Sequence, residues 1–430
     1  MDQILKGNIC CSKTPQELEI VENGCLICIG GVVEGVFRDI PDEYKGLPVK
    51  DYGDCIIIPG LCDLHVHAPQ YAFRGLGMDM ELLDWLNTYT FPEESQYILI
   101  DYANKAYGYF ADDMRRGATT RASVFATLHT PATELLMDKL EKTGLVTFVG
   151  KVSMDRNCPD YLCAKSAAAA LASARAWIVK AKGRSKYRNT SPILTPRFIP
   201  TCSDELMRGL KALQTEFGLP VQSHLSENKG EIAWVRELCP EAESYGHAYE
   251  NYGLFGGEGV PTIMAHCVWS EGAEEELLRK NGVYIAHCPQ SNINLSSGIA
   301  PVRRFLRNGI RVGLGSDVAG GCHTSIFRAM SDAIQVSKLY WRLVDQNDAP
   351  LTVQEAFWLG TEGGGSFFGK VGNFRKGYEF DAVVIDDSSI TSSNPLTIEE
   401  RLARVIYLSD DRCVRAKYIR GRKIQLTVNS

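Results

Sequence analysis

Five short segments of this chain share one construction. They are Leu61-Cys62-Asp63-Leu64-His65-Val66-His67, Val221-Gln222-Ser223-His224-Leu225-Ser226-Glu227, Thr262-Ile263-Met264-Ala265-His266, Val283-Tyr284-Ile285-Ala286-His287 and Val312-Gly313-Leu314-Gly315-Ser316-Asp317. In each, a run rich in apolar or β-branched residues leads into a metal-ligand or acid/base residue, as expected of a buried strand. A parallel barrel gathers the C-terminal ends of its strands around one rim, where active sites of that architecture sit. Residues as distant in sequence as His67 and Asp317 can therefore meet, and this constrains the fold more than any other feature.

The rest of the chain agrees with that architecture. From about residue 55 to 365, strand-like and helix-like stretches alternate in the manner of βα units around a parallel sheet. Eight strands are expected, over 55–67, 117–126, 145–154, 192–199, 219–224, 262–267, 283–288 and 311–317. The clearest intervening helices are the alanine-rich 164–182 and 203–217, the latter capped by Ser203. At the ends, 24–29 and 32–37 flank Gly30-Gly31 as a hairpin, 379–385 reads as a strand, and 417–424 as another hairpin. Each end alone is too small to bury a core, so the two should combine. The expected fold is α/β: a distorted (β/α)8 TIM barrel over 58–366, with a small composite β-sandwich from residues 1–57 and 367–430.

Bulk properties narrow the classes of partner. With 46 Lys+Arg against 52 Asp+Glu, the net charge of −6 and the lack of a basic run speak against a nucleic-acid or anionic-membrane partner. The first residues lack the layout of a signal peptide, and no apolar stretch is expected to approach the ~20 residues of a membrane span. A cytoplasmic protein is expected. The 14 cysteines are scattered, several inside predicted core strands, and should be reduced thiols. Cys25 and Cys28 have metal-motif spacing, but positions three apart on a strand point to opposite faces. They read as core residues.

The candidate metal centre starts from His65 and His67, two apart on a strand and so on one face. His224, His266 and Asp317 join them at other strand ends. Imidazole with carboxylate favours zinc, or iron, over magnesium or calcium. His65, His67, His224 and Asp317 supply four protein contacts, leaving a further position for a catalytic water. Asp317 can also accept that water's proton. Glu227 follows His224 by three residues, just before a helix expected near Asn228 with Glu231 at a capping-box position. From there it can take a proton from water and return it to a ring nitrogen or leaving amine. His266 is expected to bind metal or hold the attacking hydroxide. Asp63 shares the His65 face in a supporting role. His287 reads as a hydrogen-bonded structural residue, His129 and His247 as loop residues, and His323 as a rim residue within reach of a substrate. The pattern as a whole predicts a metal-dependent hydrolase.

Pro59-Gly60-Leu61-Cys62-Asp63-Leu64-His65-Val66-His67 resembles the opening motif of the amidohydrolase superfamily. Further segments sharpen this: Ala68-Pro69-Gln70-Tyr71, Leu83-Asp84-Trp85-Leu86 with Tyr89-Thr90-Phe91-Pro92, Thr195-Pro196-Arg197-Phe198, Ser223–Glu227, His287-Cys288-Pro289 and Gly315–Gly321. Together they resemble the guanine deaminase family, from about residue 55 to the C-terminal strands. The resemblance implies one zinc per chain, with iron as the other option, held by His65, His67, His224 and Asp317, and His266 beside it. It implies that Glu227, Asp317 and His266 do the chemistry, and that Gln70, Arg197 and Phe198 line a purine pocket which His224, Glu227 and Asp317 also face. A guanidinium such as Arg197 suits a carbonyl oxygen, O6 of guanine for instance. The implied reaction is hydrolysis of guanine to xanthine and ammonia by a homodimer. Lys151, on the third strand, is not at the position of the carboxylated lysine of two-metal relatives. Other heterocycle amino- or chlorohydrolases, of 8-oxopurine or triazine type, and a non-catalytic scaffold remain alternatives at this point.

Overall fold

A computed structural model of the protein describes residues 2–257 and 259–426. It is an α/β structure with two kinds of sheet. The first is a seven-stranded mixed sheet drawn from both ends of the chain. Its order across the sheet is Arg422–Ile424, Val414–Ile419, Ala382–Ile385, Val49–Pro59, Gln3–Thr14, Glu17–Ile29, Val32–Phe37. Val49–Pro59 joins the two ends, antiparallel to Ala382–Ile385 and parallel to Gln3–Thr14. Its two-residue period places Ile56 and Ile58 in the main core, while Ile57 faces a separate cluster with Leu26, Val384 and Tyr418. The hairpins expected around Gly30-Gly31 and over 417–424 are both present. The N-terminal strand Gln3–Thr14 was not anticipated, because Lys6, Asn8 and Ser12 interrupt its apolar run.

The second kind is parallel. Leu61–His67, Thr119–Phe125, Val146–Gly150 and Thr190–Pro192 form one four-stranded sheet; Val221–Leu225, Thr262–His266, Tyr284–His287 and Arg311–Leu314 form another. A parallel bridge between Leu194 and Val221 joins them on one side. On the other, Asp317 N–H donates to His65 O at 2.8 Å and His67 N–H to Val318 O at 3.2 Å. Helices Ile100–Arg116, Thr130–Thr143, Ala167–Gly183 and Asp204–Phe217 cross over between strands. Ser203 caps the last of these by accepting from Leu206 N–H at 3.2 Å. The arrangement is TIM-barrel-like.

Several expectations need correction. The run 55–67 is two strands, broken at Gly60, where a Cβ would lie 2.2 Å from Thr120 Oγ1. The chain uses that tight contact to leave the mixed sheet and enter the parallel one. The expected strand 192–199 survives only as Thr190–Pro192 and Thr195–Pro196, with Ile199–Thr201 turning into a short 3-10 helix as two prolines withhold ladder donors. The strand expected over 379–385 is limited to Ala382–Ile385, since Glu379 and Asp381 turn to Arg121. Cys158 and Cys163 are disulfide-bonded rather than reduced, their Cα atoms 5.6 Å apart across the turn at Asp160–Leu162. Cys25 and Cys28 do face opposite sides of their strand, in different apolar clusters. One segment, Asp160–Gly183, meets the length and apolarity of a membrane span at mean hydropathy 1.2, contrary to the expectation that none would. Alanine supplies that value, and the helix Ala167–Gly183 lays Ala170, Ala174, Trp177 and Ile178 against the core.

Buried charge fastens the terminal sheet to the parallel strands. Arg121, on Thr119–Phe125, donates from Nε to Asp381 at 2.5 Å and from Nη2 to Glu379 at 2.8 Å. Lys417, on Val414–Ile419, donates to the carbonyls of Met114, Gly117 and Thr119 at 2.8–3.0 Å. These contacts hold the strand whose C-terminal end lies beside the metal-ligand candidates.

Candidate active site

The strand ends converge as the sequence pattern requires. His65 and His67 occupy one face of Leu61–His67, His224 lies one residue from the end of Val221–Leu225, His266 ends Thr262–His266, and Asp317 follows Arg311–Leu314 by three residues. His67 Nε2 is 3.1 Å from His65 Nε2 and 3.3 Å from His224 Nε2. Asp317 Oδ1 is 3.1 Å from His65 Nε2 and 3.5 Å from His67 Nε2. His266 Nε2 stands slightly apart, 3.7 Å from Asp317 Oδ2 and 3.4 Å from Glu227 Oε2.

This donor set fits a metal ion. His224 Nδ1 lies 2.6 Å from Arg197 O, an acceptor only, so that nitrogen carries the ring proton and Nε2 presents a lone pair. Three ring nitrogens and a carboxylate oxygen gathered at 3.1–3.5 Å form an arrangement that a cation between them would hold. A tetrahedral site with zinc–nitrogen bonds of about 2.0–2.1 Å has ligand–ligand edges of about 3.3 Å. The observed separations bracket that edge. Burial and the neighbouring His65 hold His67 and His224 well below the usual imidazole range, so both stay neutral, the form that ligates. Burial alone would push the Asp317 carboxyl up, but His65, His266 and His67 outweigh it and keep Asp317 an anion. Asp63 works from beneath: it accepts from His65 N–H at 3.1 Å, Ser316 N–H at 3.0 Å and Ser316 Oγ at 2.5 Å, tying two ligand-bearing strand ends together. Imidazole and carboxylate donors of this kind suit zinc or iron.

Glu227 lies against this cluster. The helix Lys229–Leu238 begins with a complete capping box between Asn228 and Glu231, which holds the preceding residue in place. Glu231 also accepts from Glu227 N–H at 3.0 Å and from Tyr245 Oη at 2.9 Å. Glu227 Oε1 accepts from Ser297 Oγ at 3.1 Å. Burial first, and then the Asp317 charge, push its carboxyl up to about 8. A carboxyl in such surroundings exchanges protons near neutrality, as a general acid/base must.

Gln70, Arg197, Phe198, His224, Glu227 and Asp317 all line one cavity, walled on its apolar side by Leu82, Trp85, Leu86 and Leu295. His65 lies beneath the lining, fully buried. The sequence reading missed Glu94. This buried carboxylate accepts from Arg197 Nη1 at 2.6 Å, Arg197 Nη2 at 3.2 Å and Gln70 Nε2 at 3.0 Å. Its neighbours Phe91-Pro92 were singled out by resemblance, but nothing in the local pattern distinguishes Glu94 from the half-buried Glu93 beside it. Ser297, which donates to Glu227, likewise lies in a loop with no periodic signal, while Asn292, in the short helix Pro289–Asn294, accepts from His266 Nδ1–H at 2.9 Å.

Of the remaining histidines, His287 and His247 depart from expectation, while His129 and His323 lie outside helices and strands. His287 has no hydrogen-bond partner at either ring nitrogen, and burial lowers it to about 3, so it packs as a neutral ring rather than a hydrogen-bonded one. His247 is inside the helix Tyr245–Asn251, its Nδ1 2.9 Å from Ser244 Oγ, because Ser244 caps that helix. His129 is the residue before Thr130–Thr143. His323 shares a shallow cleft with Tyr71 and Arg74. A much roomier cleft, of about 1130 Å³ beside the Arg422–Ile424 strand, contains none of the converging side chains. Size does not mark the chemistry here.

Comparison with known proteins agrees with the geometry. The family model described as "Amidohydrolase family" matches residues 56–424. A guanine deaminase of Dictyostelium discoideum is 38% identical over 452 aligned residues, covering 98% of each chain. A crystal structure of a guanine deaminase from C. acetobutylicum with guanine bound in its active site superposes at TM-score 0.95 with 46% identity, covering 99% of this chain and 100% of that one. The E. coli guanine deaminase structure gives TM-score 0.87 at 31% identity, covering 98% and 99%. The chain belongs to the amidohydrolase family, and the relatives it matches over nearly its whole length at 30% identity or more include guanine deaminases.

Proposed function

We propose that the protein is a guanine deaminase, hydrolysing guanine to xanthine and ammonia. The observation that carries this reading is the single cavity in which a metal-ligand set, a buried carboxyl and a fixed guanidinium face one another. His65, His67, His224 and Asp317 would hold one zinc or iron, which when bound supplies the Lewis acidity that makes water nucleophilic near neutral pH. Glu227, held by Ser297, takes the first proton of the water and returns it to the ring nitrogen next to the amine-bearing carbon; Asp317 takes the second and relays it to the departing amine. His266 stands between these carboxylates and orients the attack, its own ring fixed by Asn292. Arg197 donates to the purine carbonyl, Gln70 reads the adjoining edge, and Phe198 packs against the ring. His224 ties the two halves of the site, since its Nδ1–H bonds the main chain of Arg197.

The architecture supports a division into residues 58–366, a distorted eight-stranded barrel, and a composite β-sandwich from 1–57 and 367–430. We place the enzyme in the cytoplasm as a homodimer acting on a free purine base. The test is ammonia release from a panel of purines and pyrimidines. Guanine should be deaminated, with adenine and cytosine slower by roughly 10⁴-fold or more, as expected of a site built on hydrogen bonds to the substrate. Hydrolysis of adenine at a comparable rate would leave a metal hydrolase of another specificity.

A further inference from the structure

We infer that Glu94 is the positioning residue that sets substrate selectivity, by holding Arg197 and Gln70 simultaneously so that one fixed pattern of donors faces the purine. The inference rests on the proposed reading of this cavity and concerns what keeps its two polar walls in register. Glu94 sits in the short helix Phe91–Ser95 and is 1% exposed. It does not line the cavity, so it acts through the residues that do. Both of its oxygens are engaged: Oε2 by Arg197 Nη1, and Oε1 by Arg197 Nη2 and Gln70 Nε2.

Gln70 Oε1 accepts from Ala319 N–H at 3.1 Å while its Nε2 donates to Glu94. Turning the amide over would set its oxygen against the carboxylate and its NH₂ against an N–H. One orientation alone is compatible, leaving one N–H and one lone pair for a ligand. Arg197 has five N–H groups and gives two to Glu94, so three remain, in a plane that the two-pronged pairing fixes. The backbone of Arg197 is meanwhile held by the metal-ligand candidate His224 at 2.6 Å. The guanidinium is therefore fixed relative to the ligand cluster at both ends. Among the described residues, no other carboxylate lies within ion-pair distance of Arg197. Without Glu94 the buried cation has no partner, and Gln70 loses the contact that decides which way its amide faces.

The experiment compares two competitive ligands that differ at the carbonyl Arg197 is proposed to read, and in the proton that this carbonyl places on the adjoining ring nitrogen: hypoxanthine, which has both, and unsubstituted purine, which has neither. Their inhibition constants against guanine deamination are measured for the holoenzyme, Glu94→Gln and Glu94→Asp. In the parent enzyme hypoxanthine should bind more tightly than purine. In Glu94→Gln hypoxanthine should weaken by about 10- to 100-fold, the range for a lost hydrogen bond to a charged group. Purine should be nearly unchanged, and Glu94→Asp should recover part of the preference. A merely structural role would weaken both ligands alike. Equal weakening, or undiminished discrimination in both variants, overturns the role of Glu94. Should Glu94→Gln not fold, Glu94→Asp decides, with the shorter carboxylate still expected to narrow the preference. A parent enzyme that binds the two ligands equally would instead overturn the assignment of Arg197 as carbonyl reader, a separable result.

Discussion

Replacing Glu227 by glutamine should move activity and stability in opposite directions. Glutamine keeps the shape of the side chain and can still accept the hydrogen bond from Ser297, but it cannot take up or return a proton. General acid/base steps contribute about 10²–10⁴-fold, so turnover should fall by that factor. The stability effect concerns the protein stripped of metal. There, burial and the charge of Asp317 push the Glu227 carboxyl from its ordinary 4.5 up to about 8. The folded state then binds its proton more tightly than the unfolded chain does. The resulting penalty on folding is absent below pH 4.5, grows as pH rises and is complete above pH 8. Each pH unit in that window costs about 1.4 kcal/mol, so the penalty is about 3 kcal/mol at pH 7 and under about 1 kcal/mol at pH 5. Glutamine carries no such cost. Glu231, pushed up to about 7 by burial and by Glu227, should be relieved in the same direction. Guanidinium unfolding of the chelator-treated parent and variant at pH 5 and 7, alongside turnover of the metal-loaded pair, reads both effects. A variant less stable at pH 7, a gain independent of pH, or near-full turnover would refute the argument.

Arg197→Met should raise KM and lower kcat for guanine together, because the contact strengthens as charge develops on the ring. It should also cost about 3–5 kcal/mol of stability, since Glu94 is left buried without its cation; kinetics and unfolding on one preparation separate the two. Elemental analysis should find about one zinc or iron per chain, with activity abolished by chelation and restored on metal return, and two metals per chain would contradict the single-ion reading. Arg121→Met, far from the chemistry, should destabilise the fold by about 3–5 kcal/mol by stranding Asp381, with denaturant midpoints as the measure and a loss under about 1 kcal/mol as the contrary result.

The ligand set was legible in the sequence because strand periodicity and barrel geometry are both local rules with a global outcome. His65 and His67 share a face by spacing alone, and parallel strands must end on one rim, so His224, His266 and Asp317 arrive there whatever the loops do. Glu227 was legible because the Asn228–Glu231 capping box announces the helix start beside it. Glu94 was not, since its partners lie 24 and 103 residues away and neither pairing leaves a trace in local pattern. The same holds for Ser297, 70 residues from Glu227. The limits of the strands at Gly60 and Pro192 were misjudged for a related reason: steric contact with Thr120 and the absence of a ladder donor are tertiary facts about residues that are apolar enough to continue a strand.

One further property of the rim lies wholly beyond pattern. Of eight non-glycine residues with positive φ among the described residues, four stand at the strand ends that carry the chemistry: Ser226 at 47°, His266 at 75°, Cys267 at 51° and Asp317 at 45°. Such conformations cost on the order of 1–3 kcal/mol each and persist only where the surroundings over-determine them. Here they do. Trp269 N–H donates to Ser226 O at 3.0 Å, Cys267 N–H to Leu225 O at 2.9 Å, Asp317 N–H to His65 O at 2.8 Å and Gly321 N–H to Asp317 O at 2.7 Å, and His266 pairs with Leu225 in the parallel ladder, so each turned residue is held by a neighbouring strand or loop. The turns serve a geometric need. In a regular strand, successive side chains point to opposite faces, and a ladder that continued past the ligands would carry the following chain away from the cavity. A left-handed residue breaks the pleat immediately at the ligand, so that His266 and Asp317 can face the cluster while Glu227, one residue beyond Ser226, swings over it. Aspartate and histidine are among the non-glycine residues that tolerate this region most readily. Residue type at these positions is thus selected twice, once for coordination chemistry and once for the backbone that aims it.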